Sequence, residues 1–329
     1  MIITMAHGSG GAATSELIEN IFLEAFGTQT ATALEDAAVV VGSARLAVTT
    51  DSFVVTPLVF PGGDIGRLSV CGTVNDLLMR GATPRYLTCG FILQEGLDSD
   101  LLKTIVMSMA ETAREAGVAI VAGDTKVVEG DGGLMINTAG VGFVPEGTEI
   151  SSTKIRPGDA VLVSGNLGDH HAAILGSRMS IDNTIQSDNA PLNEMVYNLL
   201  LKTEVHCLRD VTRGGLATVL KELSESSQVK IVLSEESLPV AKEVRDFCGL
   251  LGLDPLYMGN EGKLVCFVPK ADEEKALEVM QKSRYGKHAA IIGHVEETGS
   301  KNGELLMETS IGGLRRLDVL VGEGLPRIC

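Results

Sequence analysis

Apolar residues recur at helical spacing over residues 14–26, where Leu17, Ile18, Ile21, Phe22, Ala25 and Phe26 share one face behind Thr14, a suitable N-cap. The same period predicts a helix over 64–80, with Leu68, Cys71, Val74 and Leu78 aligned, and another over 98–116 closed by Gly117. Between them lie short apolar runs that read as strands: 45–50, ending in Asp51; 118–122, running into Gly123-Asp124-Thr125-Lys126; and 134–144. Periodicity lapses over 145–159, where Glu146-Gly147-Thr148 and Arg156-Pro157-Gly158-Asp159 are turn material. A domain boundary is expected near 153. Beyond it the pattern predicts a strand over 160–163, a helix near Asp169, helices over 193–201 and 216–226, and further alternation to about Val295. That is an α/β pattern. It divides the chain into domains 1–152 and 153–321, followed by a flexible tail, 322–329.

Composition narrows the function. The 329 residues include 27 Lys+Arg against 43 Asp+Glu, a net charge of −16, with no Trp and only 4% aromatics. Both sign and aromatic content argue against nucleic acid as a partner. Six scattered cysteines without a C-x-x-C pair suggest neither a zinc site nor a disulfide framework, and hence a reducing compartment. No run of eighteen apolar residues occurs, and the first residues lack a basic segment followed by an apolar one. A cytoplasmic protein without a membrane partner is expected.

The candidate chemistry begins with aspartates placed by strand ends and turns: Asp36, Asp51, Asp76 and Asp124. Singly, each is equally a cap or a solvated loop residue. Converging from different elements, they would suit Mg²⁺ bound to nucleotide phosphates, because that hard cation prefers oxygen. His7-Gly8-Ser9-Gly10-Gly11 could fold bare backbone N–H groups over phosphates, or could be a flexible terminus; it is not a Walker loop. Gly123-Asp124-Thr125-Lys126 brings an acid and a base within three positions, as either a working pair or an ion-paired surface turn. Arg209-Asp210-Val211-Thr212-Arg213-Gly214-Gly215 opens a helix and forms an anion seat, and Asn260-Glu261-Gly262 is a polar turn before a strand. Finally, Cys329 follows Gly322, Gly324, Pro326 and Arg327, a segment spanning about 26 Å when extended. A thiol on such a tether can act as a swinging carrier.

Asp36-Ala37-Ala38-Val39, Asn75-Asp76, Gly123-Asp124-Thr125-Lys126, Asp210-Val211-Thr212-Arg213-Gly214-Gly215, Asn260-Glu261-Gly262 and Pro326-Arg327-Ile328-Cys329 together resemble the HypE family of hydrogenase maturation proteins. The resemblance covers essentially the whole chain, and Pro-Arg-Ile-Cys is its most specific element. It implies an aminoimidazole ribonucleotide synthetase-like (PurM-like) N-terminal α/β domain that dimerises into a β-barrel, and a PurM-like α+β domain after it. It further implies ATP-dependent dehydration of a carbamoyl group, loaded on Cys329 by HypF, to a thiocyanate whose cyano group passes to iron on HypC–HypD. Asp36, Asp51, Asp76 and Asp124 would hold Mg-ATP, with Thr50, Asn75, Thr125 and Arg213 nearby and the Gly8, Gly10, Gly11 loop over the phosphates. Lys126 and Glu261 would transfer protons, and Pro326 and Arg327 would position the tail. Two rivals stand beside this reading: a synthetase or kinase of the same superfamily with a free small substrate, and a non-catalytic thiol carrier.

Overall fold

The structure, a computed structural model, describes residues 2–8, 12–27, 38, 40–300 and 302–320. The N-terminal amphipathic segment is α-helical over Ala12–Leu17 (α1) and Glu24–Phe26 (α2), with a π-helical stretch, Ile18–Leu23, between them. Leu17, Ile21, Phe22 and Phe26 are buried, as their spacing predicts. Thr14 is not the N-cap: it lies inside α1, and its hydroxyl donates to the His7 carbonyl at 3.0 Å.

Strand β1, Leu46–Phe53, turns Phe53 inward and half-buries Thr49 and Asp51, while Val48 and Thr50 face outward. This two-residue period belongs to a sheet covered on one side. Asp51 therefore lies within the strand, not at its end as the pattern predicts. A short ribbon, Val59–Phe60 (β2) with Gly63–Asp64 (β3), leads to α3, Ile65–Leu78. Asp64 caps α3 by accepting from the Gly66 and Arg67 N–H groups at 2.7 and 3.0 Å. Thr83–Gln94 (β4), Ala119–Val128 (β5) and Leu134–Phe143 (β6) complete a sheet of order β1-β6-β4-β5. β4 and β5 are parallel and joined by α4, Ser99–Ala116, which ends on left-handed Gly117. The sequence pattern misses β4 and ends its strand at 122, leaving 123–126 open between a working pair and an ion-paired surface turn, whereas β5 runs straight through them.

Asp159–Val163 (β7), Cys207–Asp210 (β8), Lys230–Ser234 (β9), Leu264–Pro269 (β10), Ala290–Glu296 (β11), Glu304–Glu308 (β12) and Leu314–Arg316 (β13) form a second sheet. Its order is β13-β12-β9-β11-β7-β10-β8, antiparallel except between β9 and β12. Asp169–Arg178 (α5), Asn193–Lys202 (α6), Gly215–Ser227 (α7), Lys242–Leu251 (α8) and Glu273–Lys282 (α9) accompany it. β7 is buried along its whole length, since α9 packs on it between flanking strands.

The two halves share a core. α3 is buried nearly all round, and Leu68, Val74 and Leu78 join one apolar cluster with Leu192, Val196, Leu199 and Leu264 from the second half. Each such side chain stabilises by about 1.5–3 kcal/mol relative to exposure, so the seam between the sheets is firm. The outer face of the first sheet is different: Leu46, Val48, Ile92 and Val128 are all exposed there.

Candidate functional site

A cleft of about 550 Å³ runs between β1 and α3 on one side and β8 and α7 on the other. Acids reach it from four elements. Asp51 projects from the helix-facing side of β1, and Asp76, near the end of α3, accepts a 2.7 Å hydrogen bond from the Thr49 hydroxyl. Asp210 ends β8, and the buried Glu261 precedes β10. Gly72 of α3 permits the approach, because a Cβ there would stand 2.8 Å from the Phe53 ring. At the mouth, α7 begins on Gly214 and Gly215, both left-handed, and no side chain caps it. Gly215 also lies so close to the Leu256 carbonyl that a Cβ would sit 2.5 Å from it. The uncapped helix start beside Arg213 favours an anion.

Crowding of acids sets the electrostatics. Burial raises the pKa of Asp51, and burial together with the neighbouring Asp51 raises that of Asp76 against the pull of Thr49, Arg209 and Arg213. Asp210 is pushed up to about 6, first by burial and then by Asp76. Glu261 rises well above the usual carboxylate range through burial, then Asp188, Asp210 and Asp51, with Arg213 opposing. A divalent cation would relieve this repulsion. Asp51 and Asp76 fit Mg²⁺ in its usual setting, where one or two carboxylates share the ion with phosphate oxygens and water. Among the described residues no group of three or more His, Cys, Asp or Glu could enclose a metal.

Asp210 supplies a direct test. An acid with a raised folded pKa costs nothing while both states are protonated, opposes folding increasingly as pH climbs from its unfolded value, 3.8, to about 6, and costs a constant amount above. Asp210→Asn is therefore expected to stabilise the ligand-free protein above pH 6 by up to about 3 kcal/mol and to have little effect near pH 4. Thermal unfolding across this range measures it; equal changes at both ends would contradict it.

The residues expected from sequence divide into three groups. Asp51, Asp76, Arg213 and Glu261 line the cleft, and Thr50 borders it from edge strand β1 with its hydroxyl turned to the Thr138 carbonyl at 3.0 Å. Asn75 does not: its amide donates to the Ala190 and Glu261 carbonyls at 3.0 and 3.3 Å and accepts from the Leu192 N–H at 3.0 Å, beneath the cleft floor. Asp124, Thr125 and Lys126 lie on β5, three strand spacings from β1, about 14 Å away. Asp124 and Lys126 are exposed and paired with each other at 2.8 Å, so one chain does not bring them to Asp51 or Glu261. Gly8 ends a 3₁₀ turn, Met5–Gly8. Gly10, Gly11, Asp36, Pro326, Arg327 and Cys329 lie outside the described residues. The sequence reading missed Asp210 as a site acid because β8 has only four residues, too few for its period to register. It also missed Asp188 and Lys263, isolated charges that only tertiary packing brings together.

Residues 34–144 and 156–305 match the N-terminal and C-terminal domains of AIR synthase related proteins. Over 99% of its length the chain is 50% identical to the carbamoyl dehydratase HypE of Cupriavidus necator, of which it covers 95%. The chain belongs to the HypE family. Among solved HypE structures, one in complex with ATP is 48% identical, with a TM-score of 0.93 over 99% of both chains. Another, a HypE–HypF complex, contains a chain 48% identical, with a TM-score of 0.80 over 92% of this chain and 99% of that one. The HypE fold thus extends through both sheets described above.

Proposed function

We propose that the cleft binds Mg-ATP and that the protein uses it to dehydrate an S-carbamoyl group on Cys329 to a thiocyanate, the source of the cyanide ligand of [NiFe]-hydrogenase iron. The observation that carries this reading is the convergence of Asp51, Asp76, Asp210 and Glu261 on one cleft beside the open start of α7. Such a set suits a metal-bound polyphosphate with a proton-transfer group next to it. Family membership and the solved HypE–ATP complex support the nucleotide.

The chemistry needs ATP because amide oxygen leaves poorly. The carbamoyl oxygen attacks the γ-phosphorus and displaces ADP. Cleavage of the C–O bond then expels phosphate as the nitrogen gives up its two protons, leaving S–C≡N. Glu261, whose carboxyl is drawn toward the neutral form, is the proton-transfer group of this chain's own cleft. Asp51 and Asp76 would hold Mg²⁺, which neutralises developing phosphate charge, and Arg213 with the α7 N-terminus would face the phosphates. Gly8, Gly10 and Gly11 would close over them, Asp36 would join the acids that hold Mg-ATP, and Pro326 and Arg327 would guide the tail.

Asp124, Thr125 and Lys126 join the site in a homodimer built through the open face of the first sheet. Exposed Leu46, Val48, Ile92 and Val128 on that face supply the apolar surface for it. The boundary near 153 separates this dimerising half from the half that carries β8 and Glu261. HypF would load Cys329, as the solved HypE–HypF complex supports, and HypC–HypD would accept the cyano group, all in the cytoplasm. No helix among the described residues is long and apolar enough to cross a membrane.

Asp76→Asn tests the nucleotide site. Loss of one charged contact of about 1.5–3 kcal/mol should weaken Mg-ATP binding on the order of tenfold or more. Calorimetric titration reads this directly, and unchanged affinity would remove Asp76 from the site.

A further inference from the structure

The turn that presents Glu261 is held by an assembly that no sequence motif announces. The Glu261 N–H donates to Asp188 Oδ1 at 3.0 Å, and its carbonyl accepts from Asn75 at 3.3 Å. Asp188 Oδ2 is paired with Lys263 Nζ at 3.0 Å, and Lys263 also donates to the Gly262 carbonyl at 3.3 Å. This ion pair is buried, with 2% of the Asp188 side chain and 8% of the Lys263 side chain exposed. Gly262 rests directly on residue 188: a Cβ there would fall 1.9 Å from the Asp188 carbonyl oxygen. On the other side, Asn260 is fixed by its amide to the Val211 and Met258 carbonyls at 2.9 and 3.1 Å. Both the N–H and the carbonyl of Glu261 are thus anchored, whereas no described side chain hydrogen-bonds its carboxyl.

We propose, on the dehydratase reading above, that Asp188 is a positioning residue for Glu261: Oδ1 fixes the Glu261 main chain and aims its side chain into the cleft, while Lys263 neutralises the buried Asp188 charge. Neither Asp188 nor Lys263 lines the cleft. Their influence on the reaction therefore runs through Glu261. A buried ion pair contributes little net stability but costs much when one partner is removed. Its economical use here is geometric: the cation neutralises an acid that must stay in place as an acceptor. Misplacing a reacting group by an ångström slows a reaction on the order of a hundredfold.

The experiment works in a Lys263→Met background, so that no lone buried cation remains when Asp188 is changed. Asp188→Asn in that background keeps an acceptor for the Glu261 N–H, and Asp188→Ala removes it. Full-length protein is loaded at Cys329 with HypF and carbamoyl phosphate, and single-turnover water loss after ATP addition is followed by intact mass, with ATP affinity measured alongside. The expected result is a rate for the Asn form within about tenfold of wild type and a rate for the Ala form lower by a further factor on the order of a hundred. Both should bind ATP alike. Equal rates for the Asn and Ala forms, or a slowing matched by an equal loss of ATP binding, would overturn the proposal. Should the Ala form fail to fold, a slowing of the Asn form beyond about a hundredfold with ATP binding intact would overturn it too, and a smaller one would support it. Wild-type protein that does not lose water with ATP would instead defeat the dehydratase reading.

Discussion

Cys329→Ser will bind Mg-ATP as the wild type does and form no dehydrated product. Binding is expected to survive because the acids of the cleft come from β1, α3, β8 and the turn before β10, none of them in the tail. Product is expected to vanish because the thiolate is the nucleophile that takes up the carbamoyl group, and a hydroxyl at neutral pH is far weaker. The tether from Gly322 spans about 26 Å when extended, long enough to deliver the group to the cleft. Calorimetry gives the first half of the result, and intact mass after incubation with HypF, carbamoyl phosphate and ATP gives the second. Undiminished turnover of a free small substrate by Cys329→Ser would return the protein to the synthetase or kinase reading of its superfamily. Loss of ATP binding along with product would mean that the tail builds the nucleotide site.

Glu261→Gln should separate function from stability in opposite directions. The substitution keeps the shape and removes the titratable proton, so water loss should slow by roughly 10²- to 10⁴-fold, the usual scale for a general acid–base group. Folding should gain at neutral pH. Glu261 has a pKa raised well above 4.5, and such an acid opposes folding once pH exceeds the value it has in the unfolded chain. Removing the ionisable group lifts that cost. A variant that is slower but more stable is what a strained functional carboxyl produces. If Glu261→Gln instead lost stability and kept its rate, the residue would be a structural turn acid and the proton would travel elsewhere.

Much of the fold was legible because periodicity reports burial. The buried faces of α1 and α4 and the apolar runs of β1 and β6 follow from which positions meet the core, whereas α3, legible from its apolar spacing, is buried nearly all round. β4 escaped because Pro84, Arg85 and Gly90 interrupt its apolar positions, while its pairing with both β5 and β6 is a tertiary fact. The strand expected over 118–122 stopped short for the opposite reason: Gly123-Asp124 looks like punctuation, yet the parallel ladder with β4 carries the strand through it. At the site, Asp51 and Asp76 stand out locally as acids beside a strand and a turn, whereas Glu261, locally only a turn residue, came from the family resemblance. Adjacency to Asp76 in sequence hides the helical rotation that points Asp76 to the cleft and Asn75 to the Ala190 and Glu261 carbonyls. Asp188 and Lys263, 75 positions apart, form a pair that only folding creates.

The central claim rests on a single chemical event, and intact mass spectrometry of the wild-type chain follows it most directly. The protein is incubated with HypF, carbamoyl phosphate and magnesium, with either ATP or a non-hydrolysable analogue, and its C-terminal peptide is mapped. The account predicts a carbamoyl adduct on Cys329 that loses one water with ATP and keeps it with the analogue. An unmodified Cys329, or an adduct that keeps its water when ATP is present, would contradict it.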